Sequence, residues 1–263
     1  AAGTLARQLL GTVGVEMTSH ITGIGAVSVP ASSPVSFEAA QALAPEAPLR
    51  CADASLEQRM IAAIDAAKDA GDTLGGTFEV IVRKLPVGLG SYVQWDRKLD
   101  GRLAQAVMSI PAIKAVSIGD GVDGAHRPGS QVHDEIVANP AAAPGTPAMT
   151  RPTNRAGGLE GGVTNGQELR LTGFMKPIAT LMKPLRSVDL TTLEDAPAAI
   201  ERSDTCAVPA AAVVAEAMVA FVLADALLER FGGDSIADLT TRVAATTDKI
   251  QRRVSRRPAS AAR

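Results

Sequence analysis

The stretch RPTNRAGGLEGGVTNG, Arg151 to Gly166, joins two glycine doublets to arginine and asparagine and holds almost nothing to bury. Glycine lets a ligand approach the backbone, and exposed amide N–H groups with cations nearby are what a phosphate requires. Lys176, Lys183, Arg186 and Arg202 follow within a short interval. On residue types alone two readings stay open: an anion-binding cradle, or a glycine-rich turn of the kind that loops commonly contain. In RSD, Arg202 offers a planar, permanently charged fork. Asp204, two residues on, is either a proton acceptor with a tuned pKa or a turn or helix-cap residue before CAVPAAAVV. His133, in HDE, is a loop histidine for which a structural role is the ordinary expectation.

Other motifs carry less. GIGAVS and GLGSYV lack the full G-x-G-x-x-G and the strand-then-helix setting of a dinucleotide site, so they read as turns. Cys51 and Cys206 are far apart, without C-x-x-C spacing, and with three histidines in the chain no metal-ligand set assembles; no metal is expected. Both cysteines read as small hydrophobes in a reducing compartment.

A chain of 263 residues can bury a sizeable core, and 46% apolar with 21% charged residues and a net charge of −2 describe a globular protein with no electrostatic call for nucleic acid. Aromatics at 3% leave few platforms for stacking bases or sugars. The most apolar run, Val208 to Phe231, is interrupted by Glu216, Asp225, Glu229 and Arg230, which predicts a helix buried in protein rather than in lipid. The opening AAGTLARQLLG has neither the basic nor the apolar region of a signal peptide and no initiator Met; a cytoplasmic setting is expected.

The elements that must position these groups follow from periodicity. Leu5, Leu9 and Leu10 predict the end of a helix closed by Gly11, and VEMTSHITGIGAVSV alternates as a strand. Pro30 to Pro48 reads as a Pro/Ala/Ser loop. SLEQRMIAAIDAAKDAGD sets Leu56, Met60, Ile61 and Ile64 on one stripe, with Asp53 or Ser55 as cap and Gly71 as stop. GTFEVIVRKL alternates Phe78, Val80 and Val82 against Thr77, Glu79, Ile81 and Arg83, a strand. Leu99, Leu103 and Val107 mark a helix that Pro111 ends before the strand IKAVSIG. Asp120 to Thr150 has no period and reads as a long loop, centred on 122–150. QELRLTGFMK is a further strand, the helix from about Pro209 stops at Gly232 and Gly233, and a polar helix begins near Ser235. Its basic end, within 240–263, is ordinary compensation of a helix C-terminus. Strands and helices in this order, with a wholly apolar helix late in the chain, suggest sheets flanking a helical layer.

Several blocks resemble chorismate synthase and stand in that family's order: GDTLGG from Gly71, LPVGLGS from Leu85, AVMSIPAIKAVSIGDG from Ala106, TNRAGGLEGGVTNG from Thr153, MKPIAT from Met175, VDL from Val188 and RSDTCAVPAAAVVAEAMVA from Arg202. The resemblance runs from Ala1 to about Leu239, fails in Val122–Thr150 and the tail, and is strongest to actinobacterial members. It implies an α+β fold, a β-α-β sandwich with helices between two antiparallel sheets, as one domain over 1–263. It implies a homotetrameric lyase that uses reduced FMN, with NADPH as a possible source of its electrons. The implied reaction is the 1,4-elimination of phosphate from 5-enolpyruvylshikimate 3-phosphate to give chorismate. No nucleic acid or membrane partner is implied.

Carried over residue by residue, the family's flavin contacts fall on Pro111 and Ala112, on Gly161, on Lys176, Pro177, Ile178, Ala179 and Thr180, and on Arg202. Arg202 would face developing phosphate charge, and Asp204 would act beside the flavin as a proton acceptor or relay. Pro111 stands where Gln is frequent and Ala179 where Ser is frequent, so the first offers no N–H and the second no hydroxyl. The family's GESHG, PGHAD and RxSARETA motifs are absent from these residues, so the chain resembles the C-terminal part of the enzyme. That absence leaves one alternative expectation, a non-catalytic product that binds flavin weakly or only oligomerises. In the lyase reading, the glycines of the opening stretch, Gly161 above all, are bare because a flavin lies against them.

Overall fold

The computed structural model describes residues 2–255, except 31, 32, 45, 144 and 145. In chain order the elements are α1 (Ala2–Thr12), β1 (Glu16–Ile24), β2 (Val27–Ser28), α2 (Phe37–Gln41), α3 (Ala54–Asp69), β3 (Gly76–Arg83), α4 (Leu99–Met108) and β4 (Ile113–Ile118). Then come α5 (Gly121–Gly124), a 3-10 turn (Gly129–Gln131), the short strands β5 (Val137–Ala138), β6 (Met149–Thr150), β7 (Leu159–Glu160) and β8 (Val163–Thr164), and the long strand β9 (Leu169–Met175). The hairpin strands β10 (Arg186–Val188) and β11 (Asp195–Pro197) precede α6 (Val208–Phe231) and α7 (Ile236–Val254).

Alternation along β3 decides how the sheet faces. Phe78, Val80 and Val82 are fully buried on one side, while Thr77 and Glu79 face the other. Val80 pairs with Ser19 of β1 and Leu171 of β9 in an antiparallel sheet ordered β2-β1-β3-β9-β4. The α+β class with an antiparallel sheet and helices is thus what the structure shows. Among the described residues there is one five-stranded sheet; the other strands form two-stranded ribbons.

Helices α1, α4 and α6 cover the apolar face of the sheet. Pro209 sits in the first turn of α6, where its missing N–H costs nothing, and Gly232 ends the helix at φ 50°. Ala215, Val219, Leu223 and Leu227 have no exposed surface, so truncating a leucine here should cost about 2–5 kcal/mol. By length and composition α6 could cross a membrane; in this fold one side of it lies in the core. The other side leaves Val213, Phe221 and Leu228 exposed. Within the buried face Glu216 is only 4% exposed and is fully engaged. Arg7 and Arg50 pair with it, and the Ser19 hydroxyl donates to its Oε1 at 2.5 Å.

Most expected elements stand where periodicity put them. Leu99, Leu103 and Val107 are fully buried along α4. Asp53, rather than Ser55, caps α3, its Oδ1 accepting from Ser55 N and Leu56 N, and Gly71 stops it at φ 70°. The first helix passes through Gly11 to Thr12, because nothing at Gly11 demands a left-handed turn; Gly14 supplies it, at φ 82°. Within Pro30–Pro48, the helix α2 is nucleated by Ser36, whose hydroxyl accepts from Ala39 N, and it seats Phe37 on Ile81. The aperiodic residues 122–150 hold α5 and the ribbon β5–β6 in short pieces. Of the basic tail, α7 reaches Val254, and residues 256–263 lie outside the described residues.

Candidate functional site

Antiparallel strands end in loops, and the Gly76/Met175 end of the sheet gathers three of them. Lys176 N donates to Ala112 O at 2.9 Å, which fixes Pro111–Ala112 against the segment 176–180. Ala112 is held there at φ 67°, a conformation uncommon outside glycine. The GDTLGG block then latches both remaining segments. Thr73 Oγ1 donates to Ile178 O at 2.7 Å, Leu74 N donates to Thr205 O at 2.8 Å, and the Ser203 hydroxyl reaches Thr180 O at 3.0 Å. A Cβ on Gly75 would stand 2.3 Å from Met175 O, so only glycine lets this latch close.

Among the described residues, the side chains of Lys176, Lys183, Arg202 and Asp204 have no hydrogen-bond or ion-pair partner, and all four residues are exposed. Asp204 does not cap α6: that position is Ala207, and no side chain caps it. The cap reading of Asp204 therefore falls, and its carboxylate is free to meet a ligand. Ala112, Ile178 and Thr180 are half-buried, and Pro111, Pro177 and Ala179 are exposed beside them.

Gly161 is not with this group. It turns the β7–β8 hairpin, and Gly162 O accepts from Leu99 N at the start of α4. Pro111 follows the end of that same ten-residue helix, about 15 Å away along its axis. Pro111, Lys176 and Arg202 thus converge through their segments as expected, whereas Gly161 lies at the opposite end of the sheet. The reason is topological: β9 runs the length of the sheet between Gly161 and Lys176.

The opening stretch itself divides. A Cβ on Gly157 would lie 2.3 Å from Gly119 N, so that glycine is bare for the protein's own backbone. A Cβ on Gly161 would meet nothing within 4 Å. Here alone in the stretch the glycine turns at positive φ, 63°, against open space.

Residue types gave no hint of Asp134. Its Oδ1 accepts from Thr153 Oγ1 at 2.5 Å and from Arg155 N at 2.8 Å, and its Oδ2 accepts from Ala156 N at 2.9 Å. Burial pushes this carboxyl up, but the bonds from Thr153, Ala156 and Arg155, with the charge of Arg151, together hold it below the ordinary carboxylate range. The neighbouring His133, by contrast, is exposed, and its backbone N–H bonds Gly129 O. The signal for Asp134 was only its place one residue after His133; its partners lie some twenty residues on.

The polar sheet face carries a separate cleft of about 840 Å³, lined by His20, Glu79, Arg170, Thr172, Asn154 and Arg155 among others. His20 is buried, with Nε2 2.9 Å from Glu79 Oε2, and Arg170 reaches the same oxygen at 3.1 Å. None of the expected site residues lines it.

An antiparallel sheet backed by helices defines an α+β protein whose three latched loops present, at one end of the sheet, cations unpaired among the described residues. The family model for chorismate synthase matches residues 1–228, and the chain belongs to that family. It is 54% identical over 251 residues to the chorismate synthase of Moorella thermoacetica, covering 95% of this chain and 63% of that protein. With the chorismate synthase of Brevibacillus brevis it shares 53% identity over 92% of this chain and 61% of that protein. A crystal structure of chorismate synthase superposes with a TM-score of 0.76 at 37% identity, covering 95% of this chain and 68% of that one. The chain thus spans just over three-fifths of the length of these curated relatives. The comparisons lend no support to a non-catalytic product.

Proposed function

We propose that this chain forms part of a chorismate synthase, a lyase that removes phosphate and a ring hydrogen from 5-enolpyruvylshikimate 3-phosphate by 1,4-elimination to give chorismate. The observation that carries the reading is the convergence of Pro111–Ala112, Lys176–Thr180 and Arg202–Thr205 on one latch, with the charges of Lys176, Arg202 and Asp204 left unpaired. Reduced FMN is the cofactor of this reading, with NADPH as the source of its electrons, and it supplies the electron-rich ring beside which the phosphate can leave. The latched segments fit such a group, since they offer backbone, half-buried apolar surface and cations together. In its setting the enzyme is soluble, cytoplasmic and homotetrameric.

The residues act as follows. A phosphate that departs without a proton donor needs fixed positive charge where negative charge develops, and the planar fork of Arg202 supplies it. Lys176 adds a second cation on the 176–180 wall. Asp204, exposed and two residues from Arg202, accepts the ring proton or passes it on. Thr73, Leu74 and Gly75 hold the walls at a fixed spacing, which is where positioning energy resides. The test is an anaerobic assay of the full-length protein with reduced FMN and 5-enolpyruvylshikimate 3-phosphate, following chorismate. Chorismate formation that Arg202→Ala depresses and Lys183→Ala leaves nearly intact is expected. Equal activity in both variants would overturn the assignment of Arg202.

A further inference from the structure

We propose that the cleft on the polar face of the sheet is a second binding site, for a small organic carboxylate with a planar apolar body. The inference does not depend on the flavin residue set. Register alone builds the floor: Ser117 on β4 pairs with Thr172 on β9, Thr172 with Glu79 on β3, and Glu79 with His20 on β1, so four polar residues line up across the sheet. All four line the cleft. Three strand spacings make the row about 14 Å wide. With a volume of about 840 Å³ the cleft falls within the range of small-molecule sites. His20 is 1% exposed, and its Nδ1 has no partner among the described residues. A buried polar atom left unbonded is costly, which marks this floor as one that the described groups do not finish.

Charge selects the ligand. Arg170 is already engaged: its guanidinium bonds Glu79 Oε2 at 3.1 Å, Glu168 Oε2 at 2.9 Å and Val35 O at 2.9 Å. Asp120 pairs with Arg127. Arg155 differs from both. Its backbone is pinned, N donating to Asp134 Oδ1 at 2.8 Å and O accepting from Asp120 N at 2.8 Å, while the side chain of this half-buried residue has no hydrogen-bond or ion-pair partner among the described residues. A planar fork on a fixed backbone, partly withdrawn from water, suits a carboxylate, which takes two N–H groups on two oxygens. A phosphate dianion fits less well, because Glu79 on the floor and Asp123 at the exposed rim bring negative charge, and among the described residues no second unpaired arginine or lysine lines the cleft. The hydroxyls of Ser117 and Thr172, also without partners among the described residues, are left to bond the same ligand. Pro34, Val35 and Pro152 add apolar surface, and Phe174, two residues beyond Thr172 on β9, is 36% exposed, so a flat body has a ring to lie against.

The test is fluorine NMR of para-fluorobenzoate with the full-length protein, binding being read from the broadening of its line. Saturable broadening that unlabelled benzoate reverses is expected, and para-fluorobenzamide, the same body without the charge, should stay sharp. Arg155→Gln removes the charged fork and should weaken binding about tenfold or more, whereas Arg202→Ala should leave it within about twofold. Thr172→Val keeps the shape, loses the hydroxyl and should weaken binding about threefold, which provides a reading even if Arg155→Gln fails to fold. No saturable binding, or an affinity that neither Arg155→Gln nor Thr172→Val alters, would overturn the inference. Binding lost in Arg202→Ala and kept in Arg155→Gln would put the benzoate on the latched loops and overturn it as well. Inorganic phosphate that displaces para-fluorobenzoate as effectively as benzoate does would overturn the carboxylate class. Failure of the flavin reading would leave the expected result unchanged, so the two stand or fall separately.

Discussion

Two clusters of charge in this chain use the same residue types to opposite ends. Around Glu216, in the middle of α6, two arginines and a serine satisfy one buried carboxylate, with Arg7 reaching it from the exposed side and Arg50 from a half-buried position. Around Arg202, at the loop end of the sheet, Lys176, Lys183, Arg202 and Asp204 are exposed with no partner among the described residues. A buried charge without partners is expensive, so the first cluster had to be closed. The second can stay open because solvent covers its charges. Charge that is internally satisfied supports the fold; charge held in place by backbone latches yet left unpaired is available for chemistry.

Breaking the closed cluster should produce the largest effect. Glu216→Ala leaves the buried Ser19 hydroxyl and the half-buried Arg50 without this partner, while solvent takes over Arg7, and should destabilise the fold by about 2–3 kcal/mol, measured by urea unfolding. A loss below about 1 kcal/mol would mean that water reaches the cluster and the contrast is weaker than the geometry says. In the open cluster Arg202→Ala should leave the unfolding midpoint unchanged and lower turnover by a factor of about 100–1,000. Asp204→Asn keeps shape and removes basicity, so it should reduce turnover while FMN affinity stays close to normal. If its loss of turnover matched that of Asp65→Asn, on the exposed side of α3, the proton role would fail.

Asp134 lies between these extremes, a half-buried carboxylate clamping the loop 153–156. Its folded-state pKa lies below the unfolded value of about 3.9. The stability it adds is therefore complete above that value and is lost as pH falls through the folded one. Asp134→Asn should flatten the acid limb of the stability profile below about pH 4, read as the unfolding midpoint from pH 2 to 7. An unchanged acid limb would show that another carboxylate governs it.

What could be read from the sequence follows the same division. Residues whose neighbours in space are neighbours in period were legible: Leu99, Leu103 and Val107 on α4, or Phe78, Val80 and Val82 on β3. The five-residue α2 was not, because its evidence is one serine cap and one phenylalanine, too short for any period to register. Asp134 was not, because its partners are distant in sequence and none is charged in a telling pattern. The glycine stretch was legible in kind, as backbone made bare for close approach. Residue types could not say which glycine faces protein and which faces open space, since Gly157 and Gly161 differ only in what the rest of the chain brings near them. The family resemblance likewise grouped Gly161 with Lys176; only strand direction shows that β9 separates them.

The smallest effect belongs to cations that are neither buried nor reserved. Arg252 pairs with Asp248 one turn earlier in α7, both largely exposed, and Arg252 and Arg253 sit in the last turn, where positive charge complements the helix dipole. Such a pair competes with water at both ends and gives up side-chain freedom to form, so it contributes about 0.3–0.5 kcal/mol. Arg252→Ala should lower stability by no more than about that amount, and the difference should fade in high salt, as exposed charges are screened within a Debye length. Turnover should not change, because the backbone bonds described at this end of α7 run to the 147–148 segment, Ala148 N donating to Val254 O, and not to the loops that carry the unpaired charges. Arg252→Ala and Arg202→Ala each remove one exposed arginine, so the pair isolates position from charge. If Arg252→Ala cost as much turnover as Arg202→Ala, exposure of an arginine would carry no information about ligand, and the contrast between the closed and open clusters would lose its functional meaning.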